Sequence, residues 1–195
     1  MEITNDETKE KREVKDELKL VPSEEIEANG TFTGTGVNFC EEVKEEDYEE
    51  IYKLSEQMIV KCAIEGGVGL SAPQVGVKKK LFVFMFQEGM YQAVINPKIF
   101  PEGKKKVNMI EACLSYPGRR YYINNRYKQV RMVYYTINRQ DKKLIRIVKN
   151  LRGMAAIVAQ HECWHLEGKT IATEGVMIED TRQQQEEDKQ QGQRE

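Results

Sequence analysis

Apolar residues recur along the chain with two different spacings, one typical of helices and one typical of strands. Over residues 45–64 they recur every three or four positions among acids and lysines, which predicts an amphipathic helix packed on the domain. The same spacing over residues 151–167 predicts a second helix, capped by Gly168. The inward face of this second helix includes both histidines of the chain, His161 and His165.

Runs rich in β-branched and aromatic residues lie between the two helices and predict antiparallel pairs of strands. The first pair turns at Glu88-Gly89 and is followed by a break at Asn96-Pro97. The predicted fold class is therefore α+β, with short, mostly antiparallel strands around a C-terminal helix. The predicted strands span residues 80–86, 91–95, 128–138 and 143–148.

The two ends of the chain differ from this core in composition. Residues 1–30 are a charged extension that reads as a solvated tail, and residues 181–195 are rich in Gln and Glu. The second segment has no aromatic residue and too few apolar side chains to order itself, so it is predicted to be disordered. Residues 31–180 are predicted to form the one globular domain.

Charge and hydropathy argue against several classes of partner. The formal net charge is only −2, which gives no bulk attraction to nucleic acid or to acidic membranes. No apolar run is long enough to span a membrane, and the first 20 residues alternate acids and bases where a signal peptide would be apolar. We therefore expect a cytoplasmic protein without a membrane segment or a nucleic-acid motif.

The second predicted helix carries the sequence HECWH at residues 161–165. Two histidines four residues apart share one face of a helix and can bind one metal ion, and the glutamate beside the first can act as a general base toward a water on that metal. Because the chain has no third histidine, a third protein ligand would be a cysteine or a carboxylate. Matches to this pattern also arise by chance, so an amphipathic helix without metal is the alternative.

Three segments together resemble the signature segments of peptide deformylases: GVGLSAPQ at residues 67–74, EACLS at 111–115 and QHECWHLEG at 160–168. The resemblance covers residues 54–171. It implies a deformylase-like fold and a metal-dependent hydrolase that removes the N-formyl group from formylmethionine at the start of nascent polypeptides. Those polypeptides are the implied partners, together with the ribosome, although the tail is not basic enough to indicate docking.

The resemblance also implies that Cys113 completes a metal site with His161 and His165, which leaves a fourth position for water. The native metal in the family is often iron(II), and zinc, nickel or cobalt can occupy the same ligands. Cys163 lies about 200° around the helix from His161 and would point away. The formal alternatives are Cys40 and Cys62.

Further roles are carried over in the same way. Glu162 would take a proton from the water and give it to the departing amine. The side-chain amide of Gln74 and the backbone N–H of Leu114 would hold the oxyanion, and Gly69 would pair with an extended peptide. An apolar pocket for the methionine side chain would be lined from the helix and from the glycine segment. Its expected residues are Met154, Ile157, Val158, Val68 and Leu70.

Two positions depart from the family pattern. Trp164 stands where the family usually has an aspartate, and because a tryptophan cannot accept the hydrogen bonds of a carboxylate, what orients this part of the helix is an open question. Ala112 stands where the family usually has a glycine, which is a milder change. Two other functions stay open. One is a different metal-dependent amidase or peptidase on the same scaffold. The other is a non-catalytic, metal-stabilised peptide-binding module, although structural zinc sites normally have four protein ligands and these segments supply three.

Overall fold

The structure is a computed structural model that describes residues 18–22 and 39–181. The predicted charged extension over residues 1–30 and the predicted tail over 181–195 lie outside the described residues, apart from residues 18–22 and Thr181. In the part of the chain that is described, no helix is long and apolar enough to cross a membrane.

The described residues form α-helices and β-strands in an α+β order, as predicted. The helices are α1 (Tyr48–Ile64), α2 (Met154–Leu166) and α3 (Ile171–Glu174), and 3-10 turns cover Glu45–Asp47 and Ala72–Val75. The strands are β1 (Gly69–Ser71), β2 (Leu81–Gln87), β3 (Met90–Pro101), β4 (Lys106–Glu111), β5 (Arg119–Tyr127), β6 (Gln129–Asn138), β7 (Lys143–Arg152) and β8 (Val176–Asp180).

All strand pairs within the two sheets are antiparallel. One sheet has five strands in the order β1-β2-β3-β6-β7, and the other has three in the order β4-β5-β8. Helix α2 contacts β1, β2 and β7 of the larger sheet and β5 of the smaller one. The helix that carries both histidines therefore lies where the two sheets meet.

Strand β2 shows why the larger sheet is buried on both faces. Its run of apolar residues does not alternate with polar ones, which is typical of a strand covered on both sides. Phe82 and Phe84 pack with residues of α2, whereas Leu81 and Val83 pack with residues of α1. The predicted apolar face of α1 is confirmed, because Cys62 is fully buried in the apolar cluster that also contains Leu81 and Val83.

Two predicted boundaries were wrong. Asn96-Pro97 does not end β3, because the strand continues to Pro101 through a bulge between Ile95 and Lys98. Asn96 adopts a positive φ of 49° there, and its side chain hydrogen-bonds both backbone groups of Val43.

The second wrong boundary is the start of the histidine helix. Residues 151 and 152 belong to β7, where Leu151 pairs with Val130. Gly153 then takes a φ of 58°, and the helix begins at Met154. Strands β4, β5 and β8 were not predicted at all, because apolar and polar residues do not alternate regularly along these three segments.

Candidate metal centre and active site

Helix α2 presents its histidines from a well-defined stretch of backbone. It ends in a left-handed cap at Gly168, whose N–H donates to the carbonyl of His165 at 3.1 Å, while the N–H of Lys169 donates to the carbonyl of Trp164 at 2.8 Å. This cap stops the helix directly after the second histidine. His161 and His165 then lie one turn apart, with ring centroids separated by 4.9 Å.

The structure brings together the three residues predicted as metal ligands. Cys113 lies in the loop that follows β4, and its Sγ is 3.4 Å from Nε2 of His165. Nε2 of His165 is 3.2 Å from Nε2 of His161, and one ligand atom from each of the three residues lies within 4.8 Å of the other two. Tetrahedral bonds of about 2.05 Å to nitrogen and 2.3 Å to sulfur would place such atoms about 3.4 to 3.6 Å apart. The residues therefore fit a divalent metal ion.

The other cysteines lie away from this group. Cys163 packs against the core cluster between α2 and the larger sheet, as the helical geometry predicted. Cys40 and Cys62 are buried in the two core clusters, where desolvation raises the pKa of each thiol to about 12. Among the described residues, none of these three cysteines joins a possible metal-binding group.

Glu162 lies beside the ligands with its carboxylate buried against β1. Its Oε2 has no hydrogen-bond partner among the described residues. Burial raises the pKa of this carboxyl well above its ordinary value, and the charge of Glu111 adds to the effect. A Cβ at Gly69 would meet the Glu162 carboxylate, so only a glycine lets β1 and this side chain lie so close. The carboxyl group is thus positioned to gain and lose a proton.

Gln74 is held by the 3-10 turn that follows β1. Its Oε1 accepts hydrogen bonds from the backbone N–H and the hydroxyl of Ser71, both at 2.9 Å. Its Nε2 donates to Sγ of Cys113 at 3.3 Å and to the hydroxyl of Ser115 at 3.1 Å. The amide donor is therefore fixed next to the ligand sulfur.

A cavity of about 410 Å³ opens beside the ligand group. Its lining includes Gln74, Leu114 and Glu162, together with all but one of the predicted pocket residues. The exception is Leu70, which is fully buried among residues of α1 and was wrongly predicted as a pocket residue. Successive residues of a strand point to opposite faces, so Leu70 turns away from α2 because Gly69 faces it. The predicted residues that do line the cavity are Val68, Gly69, Met154, Ile157 and Val158.

A buried ion pair supports His161 from behind. Nδ1 of His161 lies 2.8 Å from Oε2 of Glu111, whose two oxygens also accept from Nε and Nη2 of Arg126 at 2.7 and 2.8 Å. Burial alone raises the pKa of Glu111, but the hydrogen bonds from His161 and Arg126 outweigh it and lower that pKa to about 2. An ionised carboxylate only accepts, so Nδ1 carries the proton and Nε2 is left for the metal.

Comparison with known proteins identifies the family. A sequence model of polypeptide deformylases matches residues 37–181. The chain belongs to this family. The peptide deformylase of Fusobacterium nucleatum is 37% identical over 120 residues, which cover 62% of this chain and 66% of that protein. The peptide deformylase of Leptospira biflexa is 34% identical over 137 residues, which cover 65% of this chain and 72% of that protein. The crystal structure of peptide deformylase from Thermotoga maritima matches with a TM-score of 0.68 at 28% identity, covering 81% of this chain and 97% of that one.

Membership of the peptide deformylase family confirms the predicted enzyme class. Peptide deformylases are metal-dependent hydrolases that remove the N-formyl group from nascent polypeptides, and the group formed by Cys113, His161 and His165 fits that metal dependence. The predicted fold class is confirmed as well, because the matching structures are deformylases.

Sequence reasoning assigned no role to Arg126, and only the structure brings it to the site. Its guanidinium carbon lies 3.5 Å from the centroid of the Trp164 ring. Trp164 is the residue that departs from the deformylase pattern in this helix. A cation–π contact that is shielded from water is worth roughly 2 kcal/mol. Trp164 therefore faces the cation directly, although it cannot form the ion pair that an aspartate would.

Proposed function

We propose that this chain removes the formyl group from formylmethionine at the start of nascent polypeptides, with Cys113, His161 and His165 as the metal ligands and Glu162 as the base. The convergence of the three ligand atoms next to a buried carboxyl, whose Oε2 has no hydrogen-bond partner among the described residues, supports this assignment most directly. Three protein ligands leave a position open, which a hydrolytic site requires and a structural site does not.

A divalent ion bound to these ligands supplies a Lewis acid that activates a water and polarises the formyl carbonyl, and its charge favours the anionic form of the neighbouring Glu162. We propose iron(II) as the native ion, with zinc, nickel or cobalt as substitutes, because one thiolate and two imidazoles suit all of them.

Glu162 would perform both proton transfers. Its carboxylate accepts a proton from the attacking water and then delivers it to the amine that leaves. The absence of a hydrogen-bond donor to Oε2 among the described residues supports this role, because a donor there would hold the group in its anionic form. Glu111 and Arg126 meanwhile keep the imidazole of His161 oriented.

Gln74 and Leu114 would stabilise the oxyanion. The Gln74 amide is held from its oxygen side by Ser71, which supports this role because it keeps the N–H groups on the side of Cys113. The N–H that donates to the Cys113 sulfur would turn to the oxyanion, while the other stays with Ser115. Leu114 follows the ligand cysteine directly, which places its backbone N–H at the same end of the cavity.

The substrate peptide would bind along β1. This strand lies at the edge of the five-stranded sheet, so its outer side can pair with an extended peptide as a further strand would. Val68 and Gly69 lie at the cavity end of that edge, and the first side chain of the peptide would enter between Met154, Ile157 and Val158. Contact with the ribosome and a cytoplasmic location remain predictions.

The deciding experiment measures formate release from a formyl-methionyl tripeptide by anaerobically purified protein, together with its metal content. Glu162→Gln should keep the fold and the metal while lowering turnover by at least about 100-fold, because proton transfer is lost and coordination is not. Full activity of the metal-loaded variant would rule out this role. An acetyl-methionyl peptide hydrolysed as fast as the formyl one would favour a different amidase, and a metal-loaded protein that releases no formate would favour a binding module.

A further inference from the structure

Trp164 is the only tryptophan of the chain, and its ring covers the guanidinium of Arg126 at 3.5 Å. The Arg126 side chain is only 2% exposed, and it lies on β5 beyond a bulge at Asn125, whose φ is 66°. In a regular strand Arg126 would lie on the opposite face from Tyr121 and Ile123, because successive residues alternate between the two faces. The bulge shifts the register of β5 against β4, so that Arg126 points inward with those two residues. The backbone thus turns this cation toward α2.

The hydrogen bonds to Glu111 hold only one edge of the guanidinium. Nε and Nη2 of Arg126 donate to Oε1 and Oε2 at 2.7 and 2.8 Å. These two bonds fix the distance between the carboxylate and the facing edge of the guanidinium. A planar group held along one edge can still tilt about that edge. The indole of Trp164 lies over the face of the plane, so it opposes this tilt.

The tilt matters because Glu111 Oε2 serves two donors. It accepts from Nη2 of Arg126 and also lies 2.8 Å from Nδ1 of His161. A displaced guanidinium would draw this oxygen away and release the imidazole. Trp164 and His161 are three residues apart on the same helix, so they lie on neighbouring positions of its surface. Contacts run from Trp164 through Arg126 and Glu111 to His161.

We propose that Trp164 is a positioning residue of the metal centre: it holds the Arg126 guanidinium in place and, through Glu111, keeps His161 oriented toward the metal. The proposal rests on the ligand set of the proposed function. Trp164 also packs against an apolar cluster that includes Tyr121 and Ile171, so a purely structural role must be separated from the one proposed.

Substitutions at position 164 separate these roles, because holding a cation and filling space require different side chains. Leucine is apolar and fills part of the space, but it offers a guanidinium neither a π face nor a charge. Aspartate is small and polar, yet it can pair with the guanidinium through an ion pair. Phenylalanine keeps an aromatic face that binds cations less well than indole does.

The test is the zinc(II) affinity of metal-free protein, measured by competition with a chromophoric chelator for the wild type and for Trp164→Leu, Trp164→Phe and Trp164→Asp. We expect Trp164→Leu to bind zinc about 10- to 100-fold more weakly than the wild type. The zinc affinity of Trp164→Phe should lie between those of the wild type and Trp164→Leu. Trp164→Asp should bind zinc at least about tenfold more tightly than Trp164→Leu. Ile171→Ala is the matched control, because it opens the same apolar cluster without removing the ring, and it should leave zinc affinity unchanged.

Far-UV circular dichroism and thermal unfolding of each variant accompany the titrations. Affinities that follow apolar volume, with Trp164→Asp weaker than Trp164→Leu or unable to fold where Trp164→Leu folds, would overturn the proposal. Wild-type affinity in Trp164→Leu would overturn it as well, and so would an equal loss in Ile171→Ala. A wild-type protein that binds no zinc would overturn the ligand set itself, which is a separate failure that the wild-type titration reveals first.

Discussion

Gly69→Ala should damage catalysis through Glu162 while leaving the metal in place. A Cβ at this position would lie 3.0 Å from Cδ and 3.1 Å from Cγ of Glu162, and closer still to Oε1. Ordinary carbon–carbon contacts are about 3.5 to 4.0 Å, so the carboxylate must retreat by about 0.5 to 1 Å. A displacement of this size can cost about 100-fold in rate, which corresponds to about 2.7 kcal/mol of transition-state stabilisation.

The assay is formate release from a formyl-methionyl tripeptide, with the metal-to-protein ratio measured on the same samples. A double-mutant cycle isolates the mechanism, because Glu162→Ala removes the carboxylate that the new methyl group would meet. In that background Gly69→Ala should cost little more, so the two changes should be strongly non-additive. If Gly69→Ala costs the same factor in both backgrounds, the methyl group acts on peptide binding instead, and the reasoning about Glu162 is refuted.

The remaining predictions concern the ligand cysteine, the pocket and the end of the chain. Cys113→Ser should lower the metal-to-protein ratio, whereas Cys40→Ser and Cys62→Ser should not, and the reverse pattern would assign another cysteine. Ile157→Phe should lower kcat/KM for formyl-methionyl peptides more than for formyl-alanyl peptides, by about 1 to 3 kcal/mol, and an unchanged ratio would make Ile157 ordinary core. A chain ending at Thr181 should turn over short peptides as the full chain does, because the residues beyond it are poor in apolar side chains; an unfolded product would contradict this.

The parts of the fold that sequence predicted well are those with a strong apolar pattern, periodic in α1 and continuous in β2. Helix α1 and the hairpin of β2 and β3 follow their apolar patterns closely, because both pack on the core of the larger sheet. Strand β8 could not be found in this way. All five of its residues, Val176–Asp180, are exposed, and pairing with β5 defines the strand, which a local pattern does not report.

The candidate site also contains residues that a local sequence pattern predicts and residues that it does not. The spacing of the HECWH segment predicts His161 and His165 as metal ligands and Glu162 as a base, and the resemblance to deformylases added Cys113 as the third ligand. Arg126 could not be predicted, because it reaches the site only through the bulge at Asn125, and no spacing rule relates it to the histidine helix. Leu70 was wrongly assigned to the pocket for a similar reason. Successive residues of a strand point to opposite faces, so the side on which Leu70 lies depends on where β1 begins.

Two buried carboxyl groups lie near the ligand cluster, and their surroundings give them opposite properties. Burial raises the pKa of Glu111, but Arg126 and His161 donate to it, and the net effect lowers that pKa to about 2. Burial also raises the pKa of Glu162, where no donor to Oε2 opposes it among the described residues and the charge of Glu111 raises it further. Glu111 therefore stays ionised and can orient an imidazole, whereas the raised pKa of Glu162 suits the proton transfer that the proposed function assigns to it. This division requires the cation to stay with Glu111, and Trp164, which lies over that cation, is the side chain placed to keep it there.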